Sequence, residues 1–402
     1  MTEKYDSSLP TLLDNDLYKF TMQQAILELF SDAQAEYTFI NRGNHTFNEN
    51  FTTLLRSNIE YLSQESVSPT NLGLFAEKCP YLKPWYLEFL KSHRPDPKEV
   101  SCSLDEEGKL QVVVKGPWYR TVLWEVPLLA IISMLYYHLI DTNWPTLGSL
   151  RSRNWGLYYD KARQKFGKLN YYQCSTSDFG TRRRRCYAAQ DAVVAAGKEY
   201  LGQHFMGTSN VHFALKYDVP VRGTMAHEWI MAMSVLEGLR NANYYALQNW
   251  VRVYNANLGT ALSDTYGIDA FLRNFNLRLS KLYDGTRQDS GDPQAYVDKL
   301  VNHYRNLGID PLSKYILFSD NLNVDKAIDL TRYCYGKIKC AFGIGTHLTN
   351  DFENSPALNI VMKLNKLNGI PVTKLGADAL KECGDKDALR VVKWIIQNQP
   401  LD

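Results

Sequence analysis

From about residue 172 onward, short apolar runs alternate with stretches of helical periodicity, and this alternation restricts the possible folds more than any other feature. The apolar runs end near Met225, Asp264, Arg287, Phe318 and Phe342, and most are followed by residues with helical spacing. Strands that alternate with helices of roughly 10–15 residues are typical of βαβ units with parallel strand pairing. This half of the chain is therefore predicted to be α/β with a parallel sheet.

Outside that region the pattern predicts further elements and no repeat of fixed period. Apolar spacing predicts a helix from Leu17 to Phe30, and alternation predicts strands at Glu36 to Asn41 and Leu110 to Lys115. The apolar run from Val126 to Ile140 is shorter than the roughly 20 residues of a membrane span, so a buried helix and no membrane association are expected. Asn368-Gly369, between two alternating runs, predicts a β-hairpin.

Composition and charge exclude several classes of protein. The 402 residues suggest two or three domains or one large α/β domain, and 45% hydrophobic residues suffice for a sizeable core. A formal net charge of +2 excludes bulk attraction to polyanions. Seven cysteines without a CxxC pair favour free thiols in a reducing compartment over disulfides or a zinc site. Because residues 1–10 lack a signal-peptide pattern, a cytoplasmic protein is expected.

Polar or glycine residues follow five successive predicted strands. Parallel α/β folds place their sites at the carboxyl ends of strands, so the series indicates one site built from several strands, although any single junction also fits an exposed turn. The last junction contains Gly343, Gly345 and Thr346. Backbone N–H groups and the threonine hydroxyl can bind an anion there, although a tight turn explains the glycines equally well.

Two further junctions combine charges with hydrogen-bonding groups. Arg287 and Asp289 are two residues apart in a predicted extended segment, so their side chains share one face. They fit an anionic substrate with a metal-bound polyphosphate, and they also fit a simple salt bridge. Ser319 and Asp320 follow the next strand and suit ribose hydroxyls or Mg²⁺, although capping of the following helix is the alternative.

The predicted strand from Val219 to Met225 is expected to end at His227. Glu228 is its neighbour in the chain, but adjacent residues of a strand point to opposite faces. Asp264 or Asp289 is therefore the expected partner that orients the imidazole. A packed or exposed histidine without a catalytic role is the alternative.

Four consecutive arginines, at 182–185, form the most unusual local feature. They are predicted to enter the first turn of the following helix, where the macrodipole disfavours cations and an anionic partner would offset the repulsion. Successive helical residues diverge by about 100°, so only one or two of the four can reach the same ligand. Nucleic-acid binding is the rival interpretation, which the near-neutral net charge opposes.

Together these segments resemble the nicotinate phosphoribosyltransferase family. The resemblance rests on ordered motifs that span almost the whole chain. They are LDNDLYK (13–19), YTFINR (37–42), DFGTRRRR (178–185), GTSN (207–210), GTMAHEW (223–229), DTYG (264–267), RQDSGDP (287–293), FSDNLN (318–323) and FGIGT (342–346).

The resemblance implies an α/β fold, an irregular parallel α/β barrel with a smaller N-terminal α/β domain completed by the C-terminal segment. The implied domains are residues 1–125, a barrel at 126–360, and a C-terminal hairpin and helix at 361–402 that pack back on the first domain. It also implies a homodimer with shared active sites, in which Tyr18 reaches the site of the other subunit.

The implied reaction transfers phosphoribosyl from phosphoribosyl pyrophosphate to nicotinate, giving nicotinate mononucleotide and pyrophosphate, with ATP as co-substrate. His227 resembles a phosphate acceptor, with Asp264 and Asp289 as catalytic partners. The residues expected to bind nicotinate are Tyr18, Phe179, Arg182, Thr224 and Arg287. Those expected to bind phosphoribosyl pyrophosphate are Ser319, Asp320, Gly343, Gly345 and Thr346.

Mg²⁺ is the expected metal, held through the diphosphate and through Asp289 or Asp320. A metal bound to the diphosphate helps a polyanion to leave, while cations on the nicotinate carboxylate orient the ring nitrogen as nucleophile. Nicotinamide phosphoribosyltransferase is the alternative within the enzyme class. A non-catalytic nucleotide- or RNA-binding protein that uses the arginine run is the alternative from another class.

Overall fold

Two β-sheets organise the chain in the computed structural model, which describes residues 11–43, 45–141, 154–376 and 382–398. Residues 1–10, to which the expectation about a signal peptide refers, lie outside this described part. The strands are β1 (Gln34–Asn41), β2 (Val100–Leu104), β3 (Leu110–Pro117), β4 (Thr176–Asp178), β5 (Phe205–Thr208), β6 (Thr260–Leu262), β7 (Gly285–Gln288), β8 (Tyr315–Phe318), β9 (Lys339–Ile344), β10 (Ile360–Leu367) and β11 (Ile370–Pro371).

The first sheet is antiparallel and has the strand order β11-β10-β1-β3-β2. Strand β1 buries Ala35, Tyr37 and Phe39 on one face, as its alternating sequence predicts. Leu364 of β10 lies opposite Tyr37, and Asn368-Gly369 connects β10 to β11, so the predicted hairpin is confirmed. The C-terminal segment thus completes the sheet begun by the N-terminal strands, while the domain boundaries at residues 125 and 360 stay a prediction.

The second sheet is parallel throughout and has the strand order β5-β4-β9-β8-β7-β6. The predicted α/β fold with a parallel sheet is therefore confirmed. The predicted irregular parallel barrel is not confirmed, because β5 and β6 lie at opposite edges of the sheet and the described strands show no pairing between them.

The open edge has a local cause in the segment from Val219 to Met225. The sequence pattern predicts a strand there, and this prediction is wrong, since only one isolated bridge forms, between Thr208 and Val221. Pro220 has no N–H for a strand ladder. Its carbonyl oxygen also lies so close to Gly207 that a Cβ there would approach it to 1.9 Å. The segment pairs with the end of β5 only at this parallel bridge and forms no strand of its own.

The helices pack around both sheets, and the two whose bounds the sequence predicts, Leu17 to Phe30 and Val126 to Ile140, agree with the structure to within one residue. The helices are α1 (Leu17–Leu29), α2 (Glu49–Gln64), α3 (Pro69–Lys78), α4 (Pro84–Ser92), α5 (Trp118–Thr121), α6 (Glu125–Leu139), α7 (Trp155–Tyr171), α8 (Tyr187–Tyr200), α9 (Val211–Tyr217), α10 (His227–Met233), α11 (Ala242–Tyr254), α12 (Ile268–Asn274), α13 (Leu277–Leu282), α14 (Pro293–Asn306), α15 (Val324–Cys334), α16 (Thr346–Thr349) and α17 (Lys386–Gln397).

Helix α6 is the buried helix that the sequence predicts, and its residues from Glu125 to Tyr137 are all buried. The helical stretch Trp118–Leu139 has 22 residues and is long and apolar enough to cross a membrane. However, 89% of its most apolar window is buried inside the protein, which is the environment of a core helix.

Candidate active site

A cavity of about 980 Å³ lies where the carboxyl ends of the parallel strands face strand β10 of the other sheet. Residues that follow β4, β5 and β8 line one side together with the end of β7, and residues 360–364 of β10 line the other. Most of the predicted site residues line this cavity: Tyr18, Phe179, Arg182, Thr224, His227, Arg287, Asp289, Ser319 and Asp320. Motifs separated by up to 300 positions therefore meet at one site, as the series of polar strand ends predicts.

His227 is the first residue of helix α10 and does not end a strand, which corrects the sequence-based expectation. Its Nδ1 lies 3.0 Å from Oγ1 of Thr265, and its Nε2 lies 3.1 Å from Oδ2 of Asp289. The ammonium of Lys374 lies 2.8 Å from the same Nε2. Burial and this ammonium lower the pKa of His227, although the carboxylates of Asp264 and Asp289 act in the opposite direction. The ring is therefore neutral at physiological pH.

Both aspartates expected to orient His227 are near it. Asp289 makes the direct contact, while Oδ1 of Asp264 lies 3.7 Å from Nε2 and Oδ2 of Asp264 accepts a 2.5 Å hydrogen bond from Ser290. Burial alone would raise the pKa of Asp289, but the charge of Arg287, together with the contact to His227, holds it well below its usual range. Asp289 is thus a carboxylate anion that faces the imidazole.

Arg287 is held by three partners at the end of β7. Its Nε donates to Ser319 at 2.8 Å, Nη1 donates to Thr224 at 3.0 Å and Nη2 donates to Asp289 at 3.0 Å. A guanidinium has five N–H donors, so two remain for a ligand in the cavity. The predicted juxtaposition of Arg287 and Asp289 on one face is confirmed, and Thr224 joins them from a distant part of the sequence.

Tyr18 lies in the cavity of its own chain, at the start of helix α1. The preceding Asp16 fixes this helix by accepting 2.7 Å hydrogen bonds from Thr181 and Ser209, and the backbone N–H of Leu17 donates to the Ser209 carbonyl. The expectation that Tyr18 reaches the site of another subunit stays a prediction. The N-terminal motif docks directly onto the carboxyl ends of β4 and β5 in the same chain.

A buried charge network lies behind Tyr18. Lys19 is fully buried and contacts Glu125 at 2.6 Å and Glu228 at 2.8 Å. Glu125 also accepts a 3.0 Å hydrogen bond from Arg182, which lines the cavity. Glu228 also lines the cavity, but its carboxylate pairs with Lys19, while Asp289 is the carboxylate that faces His227, as the sequence argument expects.

The arginine run divides between the cavity and the interior. Helix α8 begins only at Tyr187, so the prediction that the four cations enter its first turn is wrong. Arg182 and Arg183 line the cavity. Arg184 forms two hydrogen bonds with Asp14, and Arg185 donates to Ser355 and stacks on Tyr137. Since two of the four guanidinium groups are buried in these contacts, the run does not form a nucleic-acid surface.

The glycine loop after β9 lies beneath Phe179 and outside the set of residues that line the cavity. A Cβ at Gly343 would lie 2.3 Å from the Phe179 ring, so this position requires glycine for packing. The backbone N–H of Phe179 donates to the carbonyl of Ile344 at 2.9 Å. Gly345 precedes the short helix α16, which begins at Thr346.

The sequence reasoning missed several cations of the cavity: Arg42, Lys363 and Lys374. Within the described residues, no carboxylate lies within 4.0 Å of the charged nitrogens of Arg42, Arg183 or Lys363. Arg42 ends a motif that the resemblance includes, so a signal existed for it. Lys363 and Lys374 belong to the C-terminal hairpin region, where no strand-to-helix junction draws attention.

The carboxylates of the cavity differ in how well they could bind a metal ion. Asp289 already accepts from Arg287 and Ser319 on Oδ1 and faces His227 with Oδ2, so both its oxygens are engaged. The group His227, Asp264 and Asp289 is compact enough for a metal, but the Lys374 ammonium lies against it and opposes a second cation. Asp320 also lines the cavity, and a carboxylate binds Mg²⁺ together with oxygens of a bound diphosphate.

Comparisons with known proteins agree over nearly the whole chain. The model of the nicotinate phosphoribosyltransferase (NAPRTase) family matches residues 174–399, and the model of the N-terminal domain of the same family matches residues 13–133. A nicotinate phosphoribosyltransferase of Methanosarcina mazei is 47% identical over 98% of this chain and 100% of its own length.

Solved structures show the same similarity in three dimensions. A crystal structure of nicotinate phosphoribosyltransferase from Porphyromonas gingivalis has a TM-score of 0.92 and 38% identity, over 97% of this chain and 100% of that one. A putative nicotinate phosphoribosyltransferase from Saccharomyces cerevisiae has a TM-score of 0.90 and 34% identity, over 98% and 99% of the two chains.

Proposed function

The chain belongs to the nicotinate phosphoribosyltransferase family, and we propose that the cavity between its two sheets is the active site. The enzyme transfers the phosphoribosyl group of phosphoribosyl pyrophosphate to nicotinate and forms nicotinate mononucleotide and pyrophosphate, a reaction of NAD biosynthesis. One observation carries the assignment of the site: the rigidly held guanidinium of Arg287 has two spare N–H donors in a cavity that aromatic side chains also line.

Nicotinate binds with its carboxylate toward Arg287 and Thr224. A guanidinium binds a carboxylate through two parallel hydrogen bonds, and this fixes the direction of the ring nitrogen, which is the nucleophile. Phe179 and Tyr18 supply aromatic faces for the pyridine ring, and Arg182 adds a second cation on the Tyr18 side. The hydrogen bond from Arg182 to Glu125 fixes its guanidinium in place.

Phosphoribosyl pyrophosphate binds across the rest of the cavity. Arg42, Arg183 and Lys363 are cations without a carboxylate partner among the described residues, and they suit the diphosphate. Ser319 and Asp320 suit the ribose hydroxyls, because both lie on the loop after β8. The resemblance assigns the 5′-phosphate to the loop of Gly343, Gly345 and Thr346, which packs beneath Phe179 next to the cavity.

Departure of pyrophosphate places positive charge on the ribose ring and negative charge on the leaving group. The carboxylate of Asp289, which stays ionised beside Arg287, faces the first charge, and the unpaired cations face the second. Asp320 is the residue that would hold Mg²⁺. When bound, Mg²⁺ neutralises charge on the diphosphate and so assists its departure.

ATP is the co-substrate in this proposal, and His227 accepts its γ-phosphoryl group. The imidazole is neutral, lines the cavity and is oriented by Thr265 and Asp289, which are the properties of a phosphate acceptor. Phosphorylation adds charge and acceptor oxygens beside the substrate sites and can reorganise them. Asp264 and Asp289 both face the ring and offset the positive charge that it gains.

We further propose that the enzyme acts in the cytoplasm. The homodimer stays a prediction from the resemblance, and exposed apolar side chains of helix α17, Val391 and Trp394, offer a surface for it. Because Tyr18 lies in the cavity of its own chain, such a dimer would have one complete site in each subunit.

The experiment that tests this function measures nucleotide formation from labelled nicotinate, phosphoribosyl pyrophosphate and Mg²⁺, with and without ATP. We expect nicotinate mononucleotide as the product, a faster reaction with ATP, and little product when nicotinamide replaces nicotinate. Equal turnover of the two pyridines, or no effect of ATP, would contradict the corresponding part of the proposal.

A further inference from the structure

The imidazole of His227 lies between two groups that require opposite protonation states of the same nitrogen. The ammonium of Lys374 lies 2.8 Å from Nε2, and Oδ2 of Asp289 lies 3.1 Å from that atom. An ammonium offers only donors, and an ionised carboxylate offers only acceptors. Nε2 satisfies Lys374 only when it carries a lone pair, and it satisfies Asp289 only when it carries a proton.

The other ring nitrogen permits either state. Nδ1 lies 3.0 Å from Oγ1 of Thr265, and a hydroxyl both donates and accepts. Thr265 therefore does not choose the tautomer, and the choice falls to the partners of Nε2. The ammonium makes the shorter contact of the two, which favours a proton on Nδ1 and a lone pair on Nε2.

The segment that carries Lys374 is fixed to the site through its backbone. Lys374 exchanges two backbone hydrogen bonds with Cys383, of 2.8 and 2.9 Å. The next residue, Leu375, donates its N–H to the carbonyl of Thr265 at 2.9 Å. Thr265 and Lys374 contact the two nitrogens of the His227 ring, and the segments that carry them are joined by a backbone hydrogen bond. The fold therefore places Lys374 beside the ring.

We propose that Lys374 is a positioning residue that selects the Nδ1–H tautomer of His227 and thereby presents Nε2 as the phosphate acceptor. The inference rests on the proposed function, in which ATP phosphorylates His227. Removal of the ammonium leaves Asp289 as the partner of Nε2, and the ring then takes the Nε2–H tautomer, which has no lone pair at the nitrogen that faces the carboxylate.

The phosphorylation step balances with ATP as the only co-reactant. The lone pair of Nε2 forms a bond to the γ-phosphorus, the bond from this phosphorus to the β,γ-bridging oxygen breaks, and ADP leaves with that electron pair. The ring keeps its Nδ1 proton and gains one positive charge, which Asp264 and Asp289 face. Lys374 releases Nε2 before this bond forms and donates instead to the phosphoryl oxygens.

The decisive experiment is ¹⁵N NMR of the nucleotide-free protein with labelled histidine rings, with His227 assigned by its loss in His227→Asn. We expect an unprotonated Nε2 and a protonated Nδ1 in the wild type and in Lys374→Arg, which keeps a donor-only cation. Lys374→Met should reverse the two signals. Lys363→Met is the matched control, because Lys363 also lines the cavity but has no contact with the ring, and its spectrum should equal the wild type.

A protonated Nε2 in the wild type, or an unchanged tautomer in Lys374→Met, would overturn the inference. The functional readout is incorporation of labelled phosphate from ATP, which should slow on the order of 10²-fold in Lys374→Met and recover in part in Lys374→Arg. Unchanged incorporation alongside a reversed tautomer would also overturn it. If His227→Ala still incorporates phosphate, the proposed phosphate acceptor is wrong, while the spectra decide separately whether Lys374 selects the tautomer.

Discussion

Arg287 is the residue on which the choice between the acid and the amide depends. It lies in the cavity with three hydrogen bonds to protein and two spare N–H donors, so its orientation is set before a ligand arrives. A carboxylate can accept both spare N–H groups, whereas a neutral carboxamide offers one acceptor oxygen and an NH₂ group that repels these donors. Sequence spacing predicts its neighbour Asp289, but it does not reveal the clamp from Thr224 and Ser319.

Replacement of Arg287 should reduce the discrimination in a graded way. Charge-assisted hydrogen bonds contribute roughly 1.5–3 kcal/mol, so we expect a preference for nicotinate on the order of tenfold to a hundredfold from this side chain. Lysine keeps the charge and loses the fork, and glutamine loses both. The expected order of kcat/KM on nicotinate is wild type, Arg287→Lys, Arg287→Gln, measured against nicotinamide in parallel. Full preference for the acid in Arg287→Gln would assign the carboxylate to Arg182.

The surroundings of His227 predict an unusual pH dependence of phosphorylation. Burial and Lys374 lower the pKa of His227, while Asp264 and Asp289 oppose this, and Thr265 carries no charge. Since the neutral ring is the nucleophile, the acid limb of phosphate incorporation should lie below the ordinary histidine pKa of about 6.5. Lys374→Met should move this limb to higher pH. A wild-type limb at or above the ordinary value would contradict the lowered pKa.

Helix α1 shows how one element couples the two sheets. Asp16 binds the loops that follow β4 and β5, and Lys19, one turn later, is buried between Glu125 of α6 and Glu228 of α10. Removal of the cation from such a site leaves uncompensated carboxylates in the interior. That state is far more costly than a broken surface pair, because the buried charges have no water to replace the partner.

Lys19→Met should destabilise the protein by roughly 3–5 kcal/mol, measured by urea denaturation. Lys78→Met is the matched control, since Lys78 pairs with the exposed Asp218 and should cost less than about 1 kcal/mol. Burial raises the pKa of Glu228, so the loss in Lys19→Met should be greatest above that pKa and should shrink as the pH falls and the carboxyl group is protonated. Equal losses in the two variants would contradict the buried network.

The same elements show what sequence can and cannot reveal. The alternation of apolar runs predicts the parallel strands, and polar residues at their carboxyl ends lead to Arg287, Asp289 and Ser319. The strand predicted at Val219 to Met225 is wrong, because this apolar run contains Pro220 and pairs with β5 only at one bridge, and the irregular barrel is not confirmed. Lys374 is absent from the prediction because only tertiary pairing brings the C-terminal hairpin region to His227.

For the whole molecule, the notable feature is that both sheets of one chain build one cavity. Tyr18 belongs to the N-terminal motif. Arg42 follows β1 and Lys363 lies in β10, so both come from the antiparallel sheet, while His227 begins helix α10. The matched family regions, residues 13–133 and 174–399, both contribute to it. We therefore propose that each chain supplies the contacts of its own cavity.

Mixing of inactive variants tests this completeness. If Tyr18 serves its own chain, a mixture of Tyr18→Ala and His227→Ala should stay inactive, because neither chain then has an intact cavity. Tagged chains must be shown to exchange if they associate, and activity of mixed wild-type and variant chains is the control. Recovery of activity in the mixture would mean that Tyr18 completes the site of a partner.

The central claim is that this cavity couples ATP to nicotinate transfer through His227, and phosphate incorporation tests it most directly. Wild type and His227→Ala are incubated with γ-labelled ATP, and the acid-labile label is counted and located by peptide mapping, with the folded state checked by thermal unfolding. The account predicts label on the peptide that contains His227 in the wild type and none in a folded His227→Ala. Wild-type incorporation in that variant, or label on another residue, would contradict it.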